Sequence, residues 1–260
     1  MYDDGVLVRS EKLTVPHAFS TRLGGVSTLP HTRQMNIAEG HGDSTDTVRE
    51  NIKIFAHLLT GGVLGIESCV TAHQIHSVKV RVLTRENCGE GVTRPAGEDC
   101  DGYVTDEAGV IPIVRTADCV PILLEGRKQD GSPVIGVLHA GWRGTVADIA
   151  GEGVRVMRSL GAVDIHAAIG PHIGVCHFEV GDDMIRATAE ARGESFALRH
   201  IKEHRADLTG MNVELLSEAG VPRENIDVSA ECTFCLPEKY HSHRRGEGVR
   251  GAMGSAAVIL

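Results

Sequence analysis

The chain has 260 residues, enough to bury a sizeable core as one large domain. Its formal charge of −9 argues against nucleic acid or a membrane surface as partner, because both are polyanionic, and it requires any anionic substrate to meet a local basic patch. Seven cysteines, an odd number with no paired framework, fit a reducing cytoplasm, and the charged start (Asp3, Asp4, Arg9, Glu11, Lys12) holds no apolar run of signal or membrane length.

Along the chain, Gly5–Arg9 and Val15–Thr21 read as strands, followed by an irregular stretch over Pro30–Asp43. From Asp46 to Leu59, Val48, Ile52, Phe55 and Leu59 fall on one helical face, with Gly61 and Gly62 as the stop. Strands are expected at Ser68–Gln74 and Val78–Leu83, then a Gly-, Glu- and Pro-rich irregular segment over Arg85–Asp99. Val110–Thr116, Val120–Leu124 and Val134–His139 are β-branched runs, and Thr145–Leu160 is a helix with Val146, Ile149, Gly153, Met157 and Leu160 on its apolar face. A strand at Ile165–Ile169, a short helix near Asp182–Ala191, a helix over Asp207–Ala219, and strands at Ile226–Ser229 and Ala256–Leu260 complete the series. The pattern is mixed α and β in one domain spanning 1–260, and by itself it leaves an ordinary α/β sheet open beside a layered α+β fold.

Three strings stand out: Ala72-His73-Gln74-Ile75-His76, Thr116-Ala117-Asp118-Cys119-Val120-Pro121 and Leu138-His139-Ala140-Gly141-Trp142-Arg143-Gly144. His76, Cys119 and His139 offer two imidazoles and a thiolate, the donors that Zn²⁺ or copper prefers, and three protein ligands leave a fourth tetrahedral position open. The separations of 43 and 20 residues are too long for a zinc-finger loop, so the fold must assemble the site from strand ends. The plainer alternative is a buried cysteine and two polar histidines, in a chain with fourteen histidines.

These strings resemble those of the YfiH-type laccase-domain family, first named multicopper polyphenol oxidases and later described as zinc-dependent purine nucleoside phosphorylases with adenosine deaminase activity. Gln74-Ile75-His76, Ala117-Asp118-Cys119, His139-Ala140-Gly141-Trp142-Arg143-Gly144, Ile169-Gly170-Pro171 and Phe178-Glu179-Val180-Gly181 recur in that order. Ser20-Thr21-Arg22, Gly24-Gly25-Val26-Ser27, Asn36, Gly42-Asp43, Cys232-Thr233 and Ser242 with Arg244-Arg245 extend the match to nearly the whole chain. The resemblance implies an α+β fold in which mixed β-sheets lie between helices (α/β/β/α), and a metal bound by His76, Cys119 and His139. It implies a small nucleoside (adenosine, inosine or methylthioadenosine) and phosphate as substrates. Near the C-terminus the family reads Gly-Arg where this chain has Gly251-Ala252, which leaves Arg250 as a substitute by a small shift.

Phosphorolysis of a nucleoside needs cations for the phosphate, a surface for the base and help for the departing purine nitrogen. Arg22, Arg143 and Arg244, with Arg245, are the candidate cations, and Phe178 and Trp142 the candidate base-covering aromatics. Asp118, Glu179 and Arg143 are the candidate catalytic residues, the carboxylates to move protons in deamination. Two other readings stay open: a copper polyphenol oxidase, and a metal-free cysteine hydrolase with Cys119 as nucleophile and His139 as base. On a strand His73 and His76 would point to opposite faces, so only one can face the metal, and the resemblance favours His76. Cys232-x-x-Cys235 with His241-x-His243 has the ligand count of a structural zinc site but reads more simply as a loop, and His172 and His177 as satisfied polar residues.

Overall fold

The Val/Ile-rich runs form strands whose alternate side chains serve different layers. In chain order, the computed structural model, which describes residues 1–260, begins with β1 (Tyr2–Asp3), β2 (Leu7–Arg9), β3 (His17–Ser20), α1 (Thr45–Thr60), β4 (Cys69–Val70), β5 (Val80–Val82), β6 (Gly102–Thr105) and β7 (Ile111–Thr116). It continues with β8 (Val120–Arg127), β9 (Pro133–Ala140), α2 (Trp142–Val146), α3 (Ile149–Ser159), β10 (Val163–Ile169), α4 (Asp182–Arg192) and α5 (Glu194–His200). The last elements are β11 (Ile201–Lys202), β12 (Arg205–Ala206), α6 (Leu208–Glu218), β13 (Ile226–Val228) and β14 (Met253–Ala257).

Two six-stranded mixed sheets carry the fold, in the spatial orders β1-β2-β3-β14-β7-β4 and β13-β10-β8-β9-β6-β5. Each is antiparallel in its middle and parallel at an edge, at β4/β7 in the first and at β13/β10 and β5/β6 in the second. Period-two alternation assigns the faces. Ile122, Leu124, Val134 and Leu138 pack with Val154, Met157, Met211 and Leu215 under the helices. Leu123, Ile135 and Val137 meet Phe19, Val114 and Ala257 between the sheets. On the outer face of the first sheet, Ile111, Ile113 and Ala256 pack against Val48, Ile52, Phe55 and Leu59 of α1. The result is the α/β/β/α layering expected. No helix is long and apolar enough to cross a membrane.

The departures from the sequence reading have local causes. The helix expected over Thr145–Leu160 is two: α2 starts earlier, and Asp148, at φ 72°, interrupts the run and caps α3 by accepting from Gly151 N–H at 2.9 Å. The strand expected over Ser68–Gln74 pairs only at Cys69–Val70. Beyond it, the Gln74 side chain replaces the ladder, accepting from Arg115 N–H and donating to Arg115 C=O, both at 2.8 Å. The last strand pairs over Met253–Ala257, earlier than Ala256–Leu260, and β6 and α5 carry too little pattern to have been expected.

His241 anchors the C-terminal loop from inside. Only 1% exposed, its Nε2 donates to Met35 C=O at 3.1 Å, and its backbone N–H reaches Met253 Sδ at 3.2 Å. Burial, reinforced by the charge of Arg22, holds its pKa down at about 3, so the folded state keeps it neutral. An unfolded chain takes up that proton near its ordinary pKa, so this contribution to stability is complete above about pH 6.5 and is lost as pH falls toward 3. Between pH 6.5 and 5 the linkage amounts to about 2 kcal/mol. In urea unfolding, wild type should lose about that much more stability than His241→Gln on moving from pH 7.5 to 5. Equal losses would contradict this placement.

Candidate metal centre

The β8–β9 hairpin sets the register of the site. Val120 pairs with Ala140 and Pro121 with His139, so Cys119, just before β8, arrives at the same end as His139. His76 comes from the loop before β5 and adopts φ 59°, a left-handed conformation uncommon for a non-glycine residue. The donor atoms of His76, Cys119 and His139 all lie within 4.8 Å of one another, with Cys119 Sγ 3.9 Å from His76 Nε2. The two imidazoles meet edge to face, centroids 4.8 Å apart at 81°. Gly141 is required here by space alone: a Cβ would fall 2.5 Å from His76 Cδ2 and 3.3 Å from Cys119 Sγ.

Asp101, which no sequence pattern singled out from its neighbour Asp99, organises this arrangement. Its buried carboxylate accepts from the N–H groups of Ile75 (3.3 Å), His76 (2.9 Å) and Ser77 (2.6 Å) and from Ser77 Oγ (2.8 Å). It also accepts from His139 Nδ1 at 2.8 Å, which leaves His139 Nε2 to face the sulfur. Burial alone would raise the Asp101 pKa, but His139 and Ser77 hold it down to about 2. For Cys119, burial is likewise outweighed by the charge of His139 and by hydrogen bonds with both histidines, so the thiolate is favoured. A deprotonated sulfur, an imidazole oriented by a carboxylate and a second imidazole fit a divalent metal ion, with three protein ligands and one side open.

Two clefts flank the trio and share His76, Ala117, Cys119 and Arg250 in their walls. The larger, about 690 Å³, adds Glu39, His41 and Arg115. The smaller, about 310 Å³, adds Asp118, Trp142, Arg143, Phe178, His243 and Arg244. Both volumes suit a small organic ligand. Arg143 lies over the Trp142 ring, its Cζ 4.3 Å from the centroid, and Arg244 over Phe178 at 5.6 Å. Arg250 reaches both clefts, with Nη1 2.9 Å from His41 Nε2. Ala252, at the position where an arginine was expected, is buried and donates its N–H to Asn36 Oδ1.

Other expected site residues sit elsewhere. Arg22 spends its guanidinium on the carbonyls of Arg33 (2.7 Å), Pro237 (2.8 Å) and Pro30 (3.3 Å) and lines neither cleft. Arg245 does the same with Thr233, Phe234 and Tyr240. Glu179 turns a largely exposed carboxylate to Arg205 at 3.2 Å, outside both walls. Asp118, at φ 88°, accepts from Thr233 Oγ1 (2.6 Å), Ser242 Oγ (2.9 Å) and Arg244 N–H (2.7 Å), the geometry of an anchor for the loop that presents Arg244. His73 is exposed on a loop, so loop geometry and not strand alternation separates it from His76.

Comparison with known proteins follows the same lines. The family model described as "Multi-copper polyphenol oxidoreductase laccase" matches residues 16–260. A Deinococcus radiodurans protein named purine nucleoside phosphorylase is 35% identical over 252 residues, covering 95% of this chain and 90% of that one. A protein named adenosine deaminase RL5, from an unknown prokaryotic organism, is 36% identical over 242 residues, 88% of each. The crystal structure of the Bacillus licheniformis hypothetical protein YfiH superposes with a TM-score of 0.84 at 31% identity, covering 94% of this chain and 92% of that one.

The role given to Asp101 is open to direct test. Asp101→Asn keeps the size and one of the two acceptor oxygens but removes the charge that fixes His139. Its affinity for a divalent metal, measured by chelator competition, should fall about 10- to 100-fold. Unchanged affinity would leave Asp101 with a packing role only.

Proposed function

The chain belongs to the multi-copper polyphenol oxidoreductase laccase family, and from that membership and the open three-donor site we propose a zinc-dependent purine nucleoside phosphorylase with adenosine deaminase activity. Residues 1–260 act as one laccase-domain unit, in the cytoplasm, on adenosine, inosine or methylthioadenosine. The observation that carries the reading is the position of His76 and Cys119 in the walls of both clefts, with His139 in the wall of the larger, and the three arginines that line the smaller in a chain of net charge −9.

Zinc held by His76, Cys119 and His139 would supply Lewis-acid polarisation at its open position. The remaining work falls to the chain's own groups. Arg143, Arg244 and Arg250 hold phosphate by charge-assisted hydrogen bonds. Trp142 and Phe178 cover the purine. In phosphorolysis a phosphate oxygen bonds to the ribose anomeric carbon while the bond to the purine nitrogen breaks, and the base leaves with the electron pair and takes up a proton. Glu39 and His41 line the larger cleft and are the groups we assign to that proton transfer. Asp118 is a positioning residue that fixes Arg244 through its backbone N–H.

The copper oxidase reading has less support. Laccase chemistry collects electrons on several coppers, which calls for clustered histidines, whereas the donor groups here hold two histidines with one cysteine and one histidine with three cysteines. The cysteine hydrolase reading has a specific observation in its favour, since Cys119, His139 and Asp101 line up as a nucleophile, base and orienting acid. It leaves unexplained why His76 is held against the same sulfur.

Ribose-1-phosphate and free base should form from adenosine or inosine only when phosphate is present. Equal product in phosphate-free buffer would make the reaction hydrolysis or deamination. Arg143→Gln should lower kcat/KM for phosphate about 10- to 100-fold without loss of stability, the effect of one charge-assisted hydrogen bond. A chelator should abolish turnover reversibly, and Cys119→Asp should retain measurable zinc. Full activity in the metal-free protein, with stoichiometric alkylation of Cys119, would decide for the hydrolase.

A further inference from the structure

Cys232-x-x-Cys235 finds partners other than those the sequence offered. His241 is buried against Met35, and His243 faces the smaller cleft. The pair meets Cys176 and His177 instead, from the loop after β10, more than fifty residues earlier in the chain. We propose that Cys176, His177, Cys232 and Cys235 form a second, closed site for one zinc ion, which ties the β10–α4 loop to the segment after β13.

The four donor atoms lie within 4.8 Å of one another. Cys176 Sγ is 3.7 Å from Cys235 Sγ, and two sulfurs about 2.3 Å from a tetrahedral zinc stand about 3.8 Å apart. His177 Nδ1 is 3.2 Å from both Cys176 Sγ and Cys235 Sγ, so the ring presents that nitrogen to the centre of the group. Its orientation is fixed by stacking on Phe234, with centroids 4.1 Å apart and planes 18° from parallel. Cys232 Sγ accepts from Gly174 N–H at 3.2 Å, a hydrogen bond that stabilises a thiolate. Arg205 Nη1 holds the Cys176 carbonyl at 2.7 Å. Four protein donors fill a tetrahedron, so this site has no open position and its role is structural. Three thiolates select zinc among common divalent ions.

The location gives the site a purpose. The residues after His177 are Phe178 and Glu179, and Arg244 donates to the carbonyls of His177 (3.3 Å) and Glu179 (2.8 Å). A cation here would fix the wall that brings Phe178 and Arg244 to the smaller cleft. The two sites share no ligand, and none of the four residues lines the smaller cleft.

The test is metal stoichiometry in the full chain purified without added metal. Wild type should carry about two zinc equivalents, the double variant Cys232→Ser/Cys235→Ser about one, and Cys119→Ser about one. If the double variant does not fold, Cys119→Ser decides alone. Its remaining equivalent should be replaceable by Co²⁺, with the intense near-ultraviolet absorption of several thiolate ligands. A Cys119→Ser protein free of zinc, a double variant with as much zinc as wild type, or a disulfide among these cysteines in the intact mass of freshly purified protein would overturn the proposal.

Discussion

The site depends on one buried carboxylate. Asp101 is fully buried, and an ionised group there is tolerated only because five hydrogen bonds compensate its lost hydration. Those bonds do two things at once. The backbone N–H groups of residues 75–77 wrap around the carboxylate, which brings His76 into a left-handed conformation it would not adopt unaided. The bond to His139 Nδ1 sets the tautomer of the other imidazole, so that both rings face one sulfur. A single charge therefore converts a loop and a strand end into one donor set.

The surrounding layers explain why this set stays rigid and open. Cys119 and His139 are fixed by the ladder of the β8–β9 hairpin, whose alternate residues are packed on both faces, under the helices and between the sheets. A hairpin held on two sides does not shift its end residues easily. Much of the lining of the clefts, in contrast, comes from loops, which supply Glu39, His41, Phe178, Arg244 and Arg250, while Arg115 stands on β7 and Trp142 and Arg143 on α2. The chain is acidic as a whole, yet Arg115, Arg143, Arg244 and Arg250 converge on the clefts, which gives them a local concentration of positive charge.

How much of this was legible in the sequence follows from what each signal reports. Regular elements with a clear period, such as α1 and the strands β7 to β10, lie close to their expected bounds because burial on fixed faces dictates both pattern and structure. The three donor strings also converge as expected, since each sits at an element's end in an unusual local context. What failed was the use of long polar side chains. Arg22 and Arg245 have the chemistry of a phosphate clamp, but their guanidinium groups are consumed by loop carbonyls, and only three-dimensional proximity reveals that. Asp101 went unseen for the converse reason: one acid among several, it is distinguished only by what folds around it. The break at Asp148 and the partners of Cys232 and Cys235 belong to the same class, local signals whose meaning tertiary structure decides.

The central claim is that His76, Cys119 and His139 bind one zinc ion and leave a coordination position open toward the clefts. Anomalous diffraction at the zinc edge, from crystals grown without added metal, addresses it most directly. The account predicts a strong peak about 2.3 Å from Cys119 Sγ and about 2.0–2.1 Å from Nε2 of both histidines, with no fourth protein ligand. A map with no peak between these three atoms, or a fourth side chain closing the coordination sphere, would contradict it.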